Sequence, residues 1–125
     1  MRTSAKKSSQ PPPRNGSFRN PAEVRAARWL RLRAYRVLDH NCWLGGAELD
    51  LVVRRGRTLA FVEVKSKSGD GFGDPLEMVD EIKVARIRRA ASLWLAAHPE
   101  LRRLDVRFDV IAVRAGRVEH LRDAF

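Results

Sequence analysis

The sequence predicts a small α/β domain in which a mixed β-sheet is flanked by helices. Three observations carry that prediction. A cap residue, a proline and an acid at the third helical position announce a helix twice, at Asn20-Pro21-Ala22-Glu23 and at Asp74-Pro75-Leu76-Glu77. Two adjoining β-rich runs meet at Arg55-Gly56-Arg57, and a third run, Val106 to Val113, alternates and is rich in branched residues. Helices and strands therefore interleave along one chain of 125 residues, which suffices for one core.

Residues 1–19 (MRTSAKKSSQPPPRNGSFR) hold almost nothing apolar and three consecutive prolines, so they form a disordered basic tail in front of one domain, 20–125. The first helix runs from Pro21 to about Arg33, with Val24, Ala27, Trp29 and Leu30 among its apolar positions and Arg25, Arg28 and Arg36 near one face. Tyr35, Val37 and Leu38 suggest a short strand. Asp39-His40-Asn41 and Gly45-Gly46 then mark a loop. Strands follow at Glu48 to Arg54 and Thr58 to Lys65, and 66–74 is a mobile loop rich in Ser, Gly, Asp and Lys. A helical region opens at Asp74 and runs to about Ala97, before Pro99, with Ile87, Ala90, Ala91, Trp94 and Leu95 on one face. The Val106 strand and a last one near Val118, separated by Ala115-Gly116, complete the order.

Composition narrows the function classes. An apolar share of 44% beside a charged share of 32% belongs to a globular protein, and no apolar run approaches the roughly 18 residues that span a bilayer. A single cysteine makes no internal disulfide, so a reducing, cytoplasmic location is expected, with no membrane partner. Net charge is +10, from 25 basic and 15 acidic residues. Five of the basic residues and no acid precede Pro21, so the domain keeps 20 against 15, or +5. Such an excess favours polyanions, because each phosphate neutralised releases condensed counterions.

The hairpin register supplies a site. A two-residue turn centred on Gly56 and Arg57, with Gly first as a type II′ turn prefers, makes each residue i face residue 113 − i. Asp50 then stands opposite Glu63 and Glu48 opposite Lys65. One face carries Glu48, Asp50, Val52, Phe61, Glu63 and Lys65, and the other is wholly apolar: Leu49, Leu51, Val53, Ala60, Val62 and Val64. Opposed like charges destabilise a hairpin, and a cation between Asp50 and Glu63 removes the conflict. Two carboxylates on rigid strands suit Mg²⁺ (or Mn²⁺), with Glu48 as a third metal-ligand candidate, and Lys65 can orient a water or steady charge on a phosphate. The competing interpretation is a solvated hairpin face with ordinary ion pairs.

Asn41, Glu48-Leu49-Asp50-Leu51, Phe61-Val62-Glu63-Val64-Lys65, Lys83 and Arg107-Phe108-Asp109-Val110 together resemble the uncharacterised bacterial YraN family over about residues 20–125. That family is assigned to the PD-(D/E)XK nuclease superfamily and compared with Holliday-junction resolvases. The resemblance implies a restriction-endonuclease-like core, with Asp50 and Glu63 as metal ligands, Lys65 as the catalytic lysine and Glu23 as a helix-borne acid. The chain departs from the family pattern at Ala47, Leu49, Ser66 and Lys67 without losing a ligand.

Other candidates are weaker. Glu23 is also explained by a capping box, and Lys83 points either to the cleft or to solvent. Arg107 and Asp109 suit a sheet-supporting ion pair. His40 and Cys42 are too isolated from His98 and His120 for zinc. The expectation is a metal-dependent endonuclease acting on DNA, including branched or damaged DNA, with a homodimer as an additional expectation. The rivals are a non-catalytic nucleic-acid-binding module with relic acids and a protein-interaction adaptor.

Overall fold

The computed structural model describes residues 18, 20–67 and 80–125. Ser66 and Lys67, expected to open the loop at 66–74, are strand; the rest of that loop, the Asp74-Pro75 cap and the expected basic tail apart from Phe18 lie outside the described residues. Asn20 is extended and its Oδ1 accepts from Glu23 N at 3.0 Å, starting α1 (Pro21–Arg31) with Pro21 in its first turn. Then come β1 (Arg36–Leu44), β2 (Ala47–Arg55), β3 (Thr58–Lys67), α2 (Glu81–Ala96), a 3₁₀ turn at Pro99–Leu101, β4 (Asp105–Arg114) and β5 (Arg117–Leu121). Asp80 caps α2, its carboxylate accepting from Lys83 N at 2.8 Å. The five strands form one sheet in chain order, β1-β2-β3-β4-β5. All neighbours are antiparallel except β3 and β4, whose parallel pairing needs the crossover that contains α2.

The sheet is covered on both faces. On one, α1 lays Ala22, Ala26, Ala27 and Leu30 against Leu51, Val53, Ala60, Val62, Ile111 and Val113. Three alanines on this stripe let the helix backbone approach the strands closely. On the other, Ile87, Ala90, Ala91 and Trp94 of α2 cover Val52, Leu59, Phe61 and Phe108. Phe61 stacks on Phe108 with centroids 5.6 Å apart and meets Trp94 edge-on at 5.7 Å, arrangements that contribute about 0.5–1.5 kcal/mol each beyond area burial. Among the described residues no helix is long and apolar enough to cross a membrane.

Three expectations change. Val24 is exposed, and the buried stripe of α1 is Ala22, Glu23, Ala26, Ala27 and Leu30. Asp39-His40-Asn41 is strand, not loop. Its polar side chains find partners on other elements: Asp39 Oδ2 accepts from Trp94 Nε1 at 2.9 Å, and the pairing absorbs a bulge between Val37 and Asp39. The expected division into a polar and an apolar hairpin face also fails. Val52 and Phe61 are core under α2, while Leu49 joins the α2 side and Leu51 the α1 side. Strict alternation would keep Leu49 and Leu51 together, so β2 turns over at Asp50. Between the same two cross-strand pairs, Cys42↔Leu49 and His40↔Leu51, Asn41 adopts φ +50, a conformation Asn tolerates better than most side chains.

Candidate metal centre in the β2–β3 fork

Leu51↔Val62 through Arg55↔Thr58 pair in the expected register, and only Gly56 of the two turn residues has positive φ, as a type II′ turn requires. The pairing stops there, one step short of the expected 50-to-63 and 48-to-65 pairs. Instead the strands part, and Asp50 fills the gap: its Oδ2 accepts from Val64 N at 2.8 Å, a side chain replacing a ladder bond. The fork brings acids in from both faces. Glu63 lies buried on β3. Glu23 of α1 and Glu48 of β2 are bridged by one amide, Asn41 Nδ2, which donates at 3.1 Å to Glu23 Oε1 and at 3.1 Å to Glu48 Oε2. Asn41 is thus a scaffold residue within a segment whose polarity suggests a loop. Its family-matching position and its tolerance of positive φ are the signals available in the sequence.

Two lysines meet at Glu63. Lys65 Nζ is 3.2 Å and Lys83 Nζ 2.7 Å from the same oxygen, Oε2. Of the alternatives for Lys83, the structure selects the cleft. Lys65 is the more enclosed, with its side chain 12% exposed against 38% for Lys83. Burial, reinforced by the Lys83 charge, lowers the Lys65 pKa. Lys83 moves the other way: burial pulls it down, but the bonds to Glu63 and Lys65 and the charges of Glu63 and Asp50 together outweigh that and raise it. Asp50 is pushed well above the ordinary carboxyl range, first by desolvation and second by the Glu63 charge, with Glu23 and Glu48 adding to it against the Val64 hydrogen bond.

Glu48, Asp50, Glu63, Asp80 and Lys83 line one cleft of about 560 Å³, with Trp43, Ile82 and Arg86 at its walls. Among the described residues no three Asp, Glu, His or Cys side chains form a ready-made metal cage. Mg²⁺ needs fewer, since it binds through one or two carboxylates and keeps its waters. The donors are all hard oxygens, and the electrostatic pressure on Asp50 is relieved by a divalent cation, so the residues fit such an ion. Zinc is not indicated: Cys42 is buried, and the His40 ring contacts Asn41 Oδ1 and Phe18.

A second charged cluster lies on the α1 side. Arg107 grips Asp109 with both arms, Nε to Oδ1 and Nη2 to Oδ2 at 2.9 Å each, and also donates to Tyr35 Oη at 2.8 Å. His120 Nε2 is 2.7 Å from Asp109 Oδ2, and Asp123 N donates to Oδ1 at 2.9 Å. The ion pair read from the sequence is present. Its extension to His120 and Tyr35 is not legible there, because 11 and 72 residues respectively separate the partners. Burial alone would raise the Asp109 pKa, but the bonds from His120, Arg107 and Asp123 N hold it below its ordinary value.

This arrangement defines a small mixed α/β protein with an acid-lysine cleft in a split hairpin. The pattern of the uncharacterised protein family UPF0102 matches residues 22–113, and the chain belongs to that family. A UPF0102 protein of Beutenbergia cavernae is 51% identical over 102 residues, 78% of this chain and 86% of the relative. One from Frankia casuarinae is 48% identical over 105 residues (80% and 88%), and the UPF0102 protein YraN of Escherichia coli is 38% identical over 104 (82% and 79%).

Proposed function

We propose that the chain is a divalent-metal-dependent endonuclease of the PD-(D/E)XK type, with a restriction-endonuclease-like core, acting on DNA in the cytoplasm. One observation carries the reading: the β2–β3 fork brings the Asp50 and Glu63 carboxylates to one cleft, where the pairing of the strands has been given up to admit Asp50, and the Lys65 ammonium lies 3.2 Å from Glu63 Oε2. Asp50 and Glu63 are the residues that would hold Mg²⁺ or Mn²⁺, with Glu48 beside them. When bound, the ion supplies Lewis acidity and a more acidic water.

The chain's own residues do the rest. Asp50 is fixed by Val64 N, so its carboxylate is pre-oriented. Lys65, with a lowered pKa, gives up or shares a proton more readily than an exposed lysine, which suits orienting the attacking water and countering charge on the phosphate. Lys83 and Arg86 at the α2 wall offer cations to the phosphate backbone. Asn41 holds Glu48 and Glu23 in place from beneath.

The non-catalytic binding module remains a second reading, favoured by the two lysines that already neutralise Glu63 and by the lack of a three-donor cage among the described residues. A nicking assay on branched DNA with Mg²⁺ separates the two. Lys65→Met keeps the length of the side chain but not its charge, so cleavage should fall by about 10² or more while calorimetric Mg²⁺ binding persists. Wild-type protein that neither binds Mg²⁺ nor nicks DNA abandons the nuclease reading.

A further inference from the structure

We propose that Arg114 and Arg117, at the β4–β5 turn, form a second phosphate-binding subsite that holds the nucleic-acid strand leaving the cleft on the side away from α2. This rests on the nuclease reading for the direction of the strand, and the experiment below separates the two.

The sequence places two arginines around Ala115-Gly116, and the structure turns them face to face. Both turn residues have positive φ (+48 and +78), and the hairpin pairs Arg114 directly with Arg117. Opposed like charges destabilise a hairpin, and among the described residues neither arginine has an acidic partner within ion-pair distance. Arg114 Nε is buried and donates to nothing, a state that costs free energy until an acceptor arrives. The Arg114 side chain helps line a cavity of about 430 Å³, together with Ala112, Ala115, Arg117, Val118 and Glu119. A phosphate oxygen is the acceptor such a guanidinium pairs with best, through charge-assisted bonds in a fork geometry.

Register ties this cavity to the fork. Lys65 pairs with Ala112, and Ala112 with Glu119, so these three lie in one row across β3, β4 and β5 on the same sheet face. Arg114 and Arg117 are the next row on that face, two residues along. From strand spacing and rise, their Cα atoms lie roughly 8 and 12 Å from that of Lys65, a short step along a nucleic-acid backbone. Ala112 between them is buried and adds only a methyl group to the cavity wall. From the other face, Arg25 Nη2 donates to Gly116 O and braces the turn. The exposed Glu119 is the one acid lining the cavity among the described residues, and it should oppose a phosphate.

The test is fluorescence anisotropy of a short labelled single-stranded DNA with the full chain in EDTA, across a salt series, with a thermal melt of each variant. The double variant Arg114→Gln/Arg117→Gln should reduce the slope of log K against log salt by about 0.7 for each phosphate no longer neutralised, so about 1.4. The charge-matched Arg102→Gln/Arg103→Gln, just before β4 begins and at the opposite end of the sheet, should leave the slope unchanged. Glu119→Gln should tighten binding about two- to fivefold. If the double variant melts early, the exposed Arg117→Gln alone is read, with about half the slope change. Equal reductions in slope from both double variants would mean that net charge alone matters, and would overturn the subsite. A wild type that shows the Arg114/Arg117-dependent slope but never nicks with Mg²⁺ keeps the subsite and loses the nuclease. Normal nicking and normal slope in the double variant do the reverse.

Discussion

Two clusters of buried charge sit on the same sheet, one around Asp109 on its α1 side and one in the β2–β3 fork, and they are built on opposite principles. Around Asp109, every oxygen has a donor: two arms of Arg107, the ring of His120 and a backbone N–H. That carboxyl is held below its ordinary pKa. Around Asp50, one backbone N–H faces three further carboxylates within electrostatic reach, and the carboxyl is pushed up. A satisfied cluster lowers the free energy of the fold. A frustrated one raises it and is retained where something else depends on it. The Asp109 cluster therefore reads as architecture, clasping Tyr35, β4 and the C-terminal turn, and the Asp50 cluster as a site.

The comparison breaks most visibly at Asp109. Asp109→Ala strands the partly buried Arg107 guanidinium, which also donates to Tyr35, and leaves His120 Nε2 without its acceptor, so stability should fall by about 3–5 kcal/mol. Urea unfolding measures this. A decrease below about 1 kcal/mol would mean that the network does not hold the fold, and the contrast with Asp50 would disappear.

Acidity sharpens the contrast next, because the two carboxyls pull stability in opposite directions. Asp109 has a folded pKa below its ordinary 3.8, so its contribution is complete above about 3.8 and is lost as pH falls through the folded value. Asp50 has a folded pKa above 3.8, so the folded state binds the extra proton, and its penalty develops as pH rises from 3.8 through the folded value. Melts of Asp109→Asn and Asp50→Asn against wild type from pH 3 to 8 read this out: the Asp109→Asn deficit should shrink below about pH 4, and the Asp50→Asn gain should vanish there. Deficits of the same sign in both variants at pH 8 would erase the distinction.

Much of this is legible in the sequence, for reasons that can be named. The hairpin from Leu51↔Val62 to Arg55↔Thr58 follows from the single glycine that a type II′ turn wants first, and α1 from its Asn20-Pro21-Glu23 start. What fails is the extrapolation of alternation past Leu51. Period two is a local rule, and it cannot foresee that Asp50 takes a ladder donor for itself and splits the strands. The same limit hides Asn41. Asp39-His40-Asn41 is polar enough for a loop, and only the partners supplied from α1, α2 and β2 make it strand. Of the candidate site residues, Asp50, Glu63 and Lys65 follow from a short-range pattern. Lys83 is ambiguous because helix periodicity fixes an angle on α2 but not which way α2 faces.

The smallest expected effect tests the comparison most directly. Asp50→Asn keeps an oxygen to accept from Val64 N while removing one negative charge from the fork, so the hairpin loses repulsion but not its bond. In chelator at pH 8 the variant should gain about 0.5 kcal/mol, which for a domain of this size is roughly 2–4 °C in Tm. Mg²⁺ should reverse the order. The wild type gains stability from any cation bound to the folded state alone, by RT ln(1 + [Mg²⁺]/Kd), whereas the variant lacks a ligand charge and gains less. Glu63 keeps its lysines in both proteins, so the difference isolates Asp50. A wild type whose melt ignores Mg²⁺, together with an Asp50→Asn variant that melts below it in chelator, would show that the acid in the fork is structural after all, and the two clusters would then be of one kind.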